Sequence, residues 1–221
     1  MKKTIAVVGA LLATLSLPSQ AQAATFTEVT DVGETLGTAS GTGSTSGVVL
    51  TDIFGSLLSE TDADIYLINI TTPVSFSAVS SGSADTQLFL FSAVGDAIYG
   101  NDDNPNGLSL QSLLPSNDTF SPTTSGLYYL AVSVAGYNPV NLINQLLFTD
   151  TGFPTDILSP ASGVSGPLFG FSGSGSTPFG AYTITLTSAT TAVPEPSEVL
   201  GLLGMGGLGL GAAFRRKLKR A

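Results

Sequence analysis

The run Leu127-Tyr128-Tyr129-Leu130-Ala131-Val132-Ser133-Val134 decides the fold class. It carries no charge, and Gly126 and Gly136 bracket it. Aromatic and β-branched side chains suit a pleated, half-buried surface, so this is the strongest strand signal of the chain. Working outward, shorter runs of the same kind recur. Residues 48–54 form one. In Asp64-Ile65-Tyr66-Leu67-Ile68-Asn69-Ile70-Thr71, the side chains of Tyr66, Ile68 and Ile70 share one face at period two. After Pro73, residues 74–80 alternate apolar and small polar side chains. Gln87-Leu88-Phe89-Leu90-Phe91 is apolar on both faces, which predicts a central, buried strand. Val94-Gly95-Asp96 reads as a hairpin turn into Ala97-Ile98-Tyr99, and residues 181–187 alternate again. No segment of the body has a helical period with caps. Short strands punctuated by Gly, Pro, Asn and Asp predict an all-β sandwich or jelly roll.

The charge distribution narrows the function. The 221 residues include 7 Lys and Arg against 16 Asp and Glu, for a net charge of −9, with no Cys, His or Trp. That removes disulfides, thiol chemistry, Ser-His and Cys-His catalysis, and zinc or haem sites built on His and Cys. All the cations lie at the ends: Lys2 and Lys3, then Arg215, Arg216, Lys217, Lys219 and Arg220. The body between them, residues 24–192, has no basic side chain, which excludes nucleic-acid binding through phosphate contacts.

Both ends read as addresses. Met1-Lys2-Lys3, the apolar run 4–17, the break at Pro18 and the small-residue site Ala21-Gln22-Ala23 before Ala24 form a signal peptide, residues 1–23, cut by signal peptidase. At the other end, Val193-Pro194-Glu195-Pro196-Ser197 precedes an apolar segment, 199–214, and the terminal Arg/Lys cluster. The apolar segment is a marginal membrane helix, because a span needs about 20 residues and this one contains several glycines. The basic tail would stay cytoplasmic under the positive-inside rule.

This tripartite tail, residues 193–221, resembles a PEP-CTERM sorting signal. The resemblance implies a protein of the envelope of a polysaccharide-producing bacterium, held transiently in the inner membrane and processed by an exosortase-type enzyme. Pro194, Glu195 and Pro196 would be its recognition element. Deposition at the cell surface or in an extracellular polysaccharide matrix is the implied destination.

A second resemblance rests on the body. Asp62-Ala63-Asp64-Ile65-Tyr66, Asp85-Thr86-Gln87-Leu88-Phe89-Leu90-Phe91, Gly95-Asp96-Ala97-Ile98-Tyr99-Gly100-Asn101-Asp102-Asp103, Gly126-Leu127-Tyr128-Tyr129-Leu130-Ala131-Val132 and Tyr182-Thr183-Ile184-Thr185-Leu186 occur in that order. Together they are similar to the bacterial pre-peptidase C-terminal domain, a non-catalytic β-sandwich of secreted proteins, some of which bind calcium. The implied organisation is a flexible segment 24–47, a sandwich 48–187 with a loop insertion 135–179, and a linker 188–192. Within the insertion, residues 141–148 suit either a short helix or a strand.

A body of carboxylates without a cation repels itself. Relief must come from solvent, salt or bound metal. Calcium is the natural candidate, since it takes oxygen ligands in irregular geometry. The candidate ligands are Asp62 with Asp64, Asp85 with Asp96, and Asp102 with Asp103. Asp102-Asp103-Asn104-Pro105-Asn106-Gly107 matches the first half of an EF-hand loop, but Leu113 stands where the bidentate Glu belongs, so an EF-hand is rejected. The competing reading is that these Asn and Asp residues only shape turns. Nothing in the sequence singles out the pair of differently tuned carboxylates that glycoside hydrolysis needs, so the body is expected not to be an enzyme. Polysaccharide binding is the rival to a structural role. The 6 tyrosines, at 66, 99, 128, 129, 137 and 182, are available for stacking on sugars, although several occupy strand faces that a core would claim.

Overall fold

The strand runs pair as their alternation requires, in a computed structural model that describes residues 23–107, 110–149, 151–175 and 178–194. The expected signal helix, the C-terminal apolar helix and the basic tail lie outside the described residues. In chain order the strands are β1 (Ala24–Thr27), β2 (Ser40–Gly41), β3 (Leu50–Ser56), β4 (Ala63–Ile70), β5 (Ser77–Gly82), β6 (Thr86–Ser92), β7 (Ala97–Asn101), β8 (Leu113–Leu114), β9 (Gly126–Val134), β10 (Tyr137–Val140), β11 (Ile157–Leu158), β12 (Gly170–Gly173), β13 (Ala181–Thr187) and β14 (Ala189–Thr191). The described residues are all-β apart from two 3-10 turns, Leu36–Thr38 and Pro73–Ser75.

One sheet has the order β1-β3-β13-β5-β8, and a larger one the order β11-β7-β6-β9-β4-β14, with β2 beside β14 on the edge of β4. The strand β9 lies between β4 and β6, antiparallel to both, with Leu130 opposite Tyr66 and Leu90. The inward residues of both sheets share one core: Leu50, Ile53, Tyr182, Ile184 and Leu186 from the smaller sheet, and Tyr66, Ile68, Ile70, Leu88, Leu90, Leu130 and Val132 from the larger. Two faces packed over one apolar layer are the arrangement of a sandwich.

The segment 135–179, expected to be a loop insertion, differs from that reading. It supplies β10, β11 and β12 and folds across the outer face of the larger sheet. There Leu147, Phe148, Leu158 and Leu168 form a second core with Ile65, Phe89, Phe91 and Ala131. This explains why β6 is apolar on both faces, as a strand covered on both sides must be. Phe148 meets Phe89 at 5.0 Å between ring centroids and Phe91 at 5.5 Å. Residues 141–148 form neither a helix nor a named strand. Asn141 Oδ1 accepts from the backbone N–H groups of Ile143 and Gln145, folding the stretch into a side-chain-held turn.

The flexible segment 24–47 and the linker 188–192 are also corrected. β1 pairs in parallel with β3, β2 in parallel with β4, and β14 antiparallel to β4. Thr191 is buried, and its hydroxyl donates to the Thr45 carbonyl at 2.6 Å, so Gly/Ser/Thr-rich composition here builds a polar seam. Backbone and hydroxyl hydrogen bonds hold these stretches where apolar alternation is absent.

Gly100 on β7 shows how tightly the second core is set. A Cβ there would lie 2.5 Å from Phe89 Cδ1 and 3.1 Å from the Leu88 carbonyl oxygen. Gly100→Val is therefore expected to cost about 1–3 kcal/mol through overpacking, read as a lower urea midpoint at unchanged m-value.

Candidate functional site

Among the described residues, this packing brings together two acidic centres, one beside a groove and one beside a cleft. The first centre depends on the parallel pairing of β1 with β3. Glu28 follows β1, and its N–H donates to the Phe54 carbonyl at 2.9 Å. Its carboxylate accepts from Ser56 N–H at 2.9 Å and from Val32 N–H at 3.1 Å. Asp64 comes from β4 on the face that carries Tyr66, and is wholly buried. The Tyr182 hydroxyl donates to Asp64 Oδ2 at 2.6 Å, and the hydroxyls of Tyr66 and Tyr182 are 2.6 Å apart. Asp64 Oδ1 has no hydrogen-bond partner. One carboxylate oxygen from each of Glu28, Asp31 and Asp64 lies within 4.8 Å of the others.

Burial pushes the Asp64 carboxyl up to about 8, against the opposing Tyr182 hydrogen bond and with reinforcement from the charges of Glu28, Asp62 and Asp31. Burial likewise raises Glu28, and its two backbone hydrogen bonds oppose the rise. Tyr182, packed against Asp64 and Tyr66, is held protonated by burial and then by those neighbours. Gly55 pairs with Tyr182 across β3 and β13. A Cβ on it would approach Glu28 Oε2 to 2.7 Å and meet the Tyr182 hydroxyl more closely still. The glycine thus lets these oxygens approach the β3 backbone more closely than a side chain would allow. A groove of about 420 Å³, lined by Glu28, Asp31, Gly55 and Leu58 among others, opens there. Three converging carboxylates, one with a bare buried oxygen, suit a proton at low pH or a hard divalent cation at higher pH.

The second centre joins Asp85, before β6, to Asp102 and Asp103, after β7. One oxygen of each lies within 4.8 Å of the others. Buried Asn101 anchors this loop: its Oδ1 accepts from Leu113 N–H at 2.8 Å, and its Nδ2 donates to the Asp156 carbonyl at 3.1 Å. Burial, then the charges of Asp103 and Asp85, pushes the Asp102 carboxyl up to about 7. Asp102 Oδ1 is buried without a partner. Burial also raises Asp103. Asp102 lines a cleft of about 300 Å³ with Asn138, Leu146, Phe148 and Phe153.

The remaining predicted ligands go elsewhere. Asp62 Oδ2 accepts the Leu58 N–H and closes the turn before β4, so it is not in the set with Asp64. Burial raises its carboxyl. Asp96 sits in the β6–β7 turn, where its N–H donates to Ser92 Oγ at 3.1 Å, and it joins neither centre. Asn104 Oδ1 accepts from Asn106 N–H at 2.9 Å, so this part of the EF-like stretch makes a turn. Glu28 and Asp31 escaped the sequence reading. Their only signal was the brief alternation around Phe26, whose ring meets Tyr66 edge-on at 5.7 Å. Of the tyrosines, 66, 99, 128 and 182 are core residues, while Tyr137 stacks on Phe171 at 5.5 Å and donates to Glu34 at 2.9 Å.

Ala23 and Ala24 of the expected signal-cleavage site are described, and Ala24 N–H donates to the Val49 carbonyl at 2.6 Å. Ala21, Glu195, Pro196 and the basic tail lie outside the described residues. Pro194 rests against Gly41 of β2. Ala192 is tied to Thr42 by its carbonyl at 3.0 Å and its N–H at 3.1 Å.

Comparison with known proteins identifies this end of the chain. Residues 192–217 match the PEP-CTERM protein-sorting motif. The motif implies export to the cell surface or extracellular space and processing by an exosortase. No family match supports the pre-peptidase C-terminal resemblance of the body. No curated protein matches the chain. Among solved structures, it is similar to Aeromonas hydrophila PliG, a periplasmic lysozyme inhibitor of g-type lysozyme, at 11% identity. That match covers 75% of this chain and 98% of that one, with a TM-score of 0.27, too low to establish a common fold.

Proposed function

We propose that the protein is an exported, non-enzymatic β-sandwich of the cell surface or extracellular matrix, delivered by its PEP-CTERM tail and stabilised by calcium. The observation that carries delivery is the sorting motif at residues 192–217, within which Ala192 bonds Thr42 and Pro194 rests against Gly41. Signal peptidase acts at Ala23–Ala24, and an exosortase reads Pro194, Glu195 and Pro196 while the apolar segment holds the chain in the inner membrane. Deleting residues 193–221 is the test. Fractionation should then find the protein retained in the periplasm or released to the medium instead of held at the surface. Unchanged surface location would overturn the reading.

Glu28, Asp31 and Asp64 are the residues that would hold calcium. The bare oxygen of Asp64 and the convergence of the three carboxylates fit a hard cation. Such an ion would supply the positive charge that residues 24–192 lack, and its role is structural. Asp85, Asp102 and Asp103 are a weaker second candidate, because Asp102 is shared with the neighbouring cleft. A polysaccharide-binding role is the second reading, and that cleft is the observation that favours it.

A further inference from the structure

We infer that the cleft between the larger sheet and the folded insertion 135–179 is a binding site for an uncharged hexopyranose unit of a glycan. Three independent features of its walls converge on that chemistry.

The first is an aromatic platform. Phe153 is 68% exposed, one of several large apolar side chains of the insertion, with Leu142, Ile143 and Phe169, that face solvent. Its backbone is pinned: Thr151 Oγ1 accepts from Phe153 N–H at 3.3 Å and donates to the Phe153 carbonyl at 3.2 Å, and Asp156 N–H donates to that carbonyl at 3.2 Å. A ring presented to solvent on an ordered loop loses little entropy when a ligand covers it. The axial C–H face of a pyranose is the apolar surface that such a ring stacks on.

The second is an acceptor. Asp102 lines the cleft, and a carboxylate accepts from a sugar hydroxyl. Asp103 N–H donates to the Pro154 carbonyl at 2.8 Å, which ties the Asp102 loop to the Phe153 loop. Platform and acceptor are therefore fixed relative to one another, as recognition requires. Leu146 and Pro139 extend the apolar wall, and Thr149 and Asn138 add polar groups. The volume of about 300 Å³ is at the lower end for a small-molecule site and suits one or two sugar rings.

The third feature is charge. With Asp102 on the wall, Asp85 and Asp103 beside it and no Lys or Arg in residues 24–192, the site repels uronate, sulfate and phosphate. The ligand is thus a neutral glycan. The inference rests on the proposed extracellular location only for where such a glycan is met.

The test is saturation-transfer NMR on the exported protein purified from the envelope, with maltohexaose and cellohexaose as neutral probes and polygalacturonate as the anionic one. At least one neutral probe should give saturation transfer. Phe153→Ala and Asp102→Ala should each weaken its binding by at least about tenfold, the equivalent of one lost stacking or charge-assisted contact. Phe153→Tyr should restore binding, and Val74→Ser, remote and exposed, should leave it unchanged. No transfer from either neutral probe, tighter binding of polygalacturonate, or full affinity in Phe153→Ala would each overturn the inference. Binding is read on isolated protein, so a failed localisation experiment and a failed binding experiment are separate outcomes.

Discussion

Calcium added to the metal-free protein at pH 8 should raise its thermal midpoint by about 5–10 °C, as expected for saturation of one site in a domain of this size. The same addition at pH 5 should change it little. The cause is the inward-facing carboxyl of Asp64, raised to about 8 by burial. Below its ordinary value near 4, the group is protonated in both folded and unfolded chains, and its contribution to stability is fully present. As pH rises toward 8, the unfolded chain releases the proton while the folded chain retains it, so stability drains away across that window. Each unit of raised pKa is worth about 1.4 kcal/mol, so a single buried group can account for several kcal/mol. Asp102, raised to about 7, acts in the same direction, as do Glu28 and Asp62. The metal-free protein should therefore melt lower at pH 8 than at pH 5. Calcium competes with the proton for Asp64, which gives its effect the opposite pH dependence. Asp64→Asn should flatten much of the pH profile and abolish the calcium response together, because the amide neither ionises nor offers the charge. Melting curves with calcium and with chelator at both pH values check this. A midpoint indifferent to chelator at pH 8 would remove calcium from the account, and a metal-free midpoint that climbs from pH 5 to pH 8 would remove the buried carboxyl.

Phe148→Ala should cost about 3–5 kcal/mol, the range for deleting a buried aromatic ring. Phe148 is buried against Phe89 and Phe91 on the outer face of the larger sheet. Removing it leaves those two rings facing a void that Leu147, Leu158 and Leu168 cannot close without moving the insertion. At about 2–4 °C per kcal/mol, the midpoint should fall by roughly 6–20 °C. Exposed apolar surface should appear as dye binding before the main transition. Leu142→Ala, 72% exposed on the turn held by Asn141, is the control and should stay within about 0.5 kcal/mol. Equal, small effects from both substitutions would mean that the insertion is an appendage and not part of the core.

Several elements were legible in the sequence because their signal is local. The alternation in β4 put Tyr66, Ile68 and Ile70 on one face, and all three enter the main core. The two-faced apolar run in β6 announced a covered strand before anything indicated what covered it. The cover itself was hidden. Residues 135–179 spread their apolar side chains among prolines and glycines with no period, and the strands there are two to four residues long. Such short strands acquire meaning only from their partners. β2 and β14 were hidden for the same reason, being edge strands secured by hydroxyl groups and backbone, whose composition is that of a loop.

The acidic centres divide in the same way. The sequence alone established that the body is acidic and lacks cations, so that any relief of its repulsion must come from outside the chain, and that a sorting motif sits near the C-terminal end. Asp102 and Asp103 were close because they are adjacent. Which other carboxylates they and Asp64 would meet was beyond any local pattern. Parallel pairing of β1 with β3 brings Glu28 and Asp31 to Asp64, and the register that sets Tyr182 opposite Gly55 lets the Tyr182 hydroxyl and Glu28 pack against the β3 backbone beside them. The turns around Asp62 and Asp96 withdraw those residues from the same role. Alternation fixes a side chain's face, and it is read from neighbours in the chain. Convergence of charges is fixed by strand order and register, and these are set by burying two apolar faces at once.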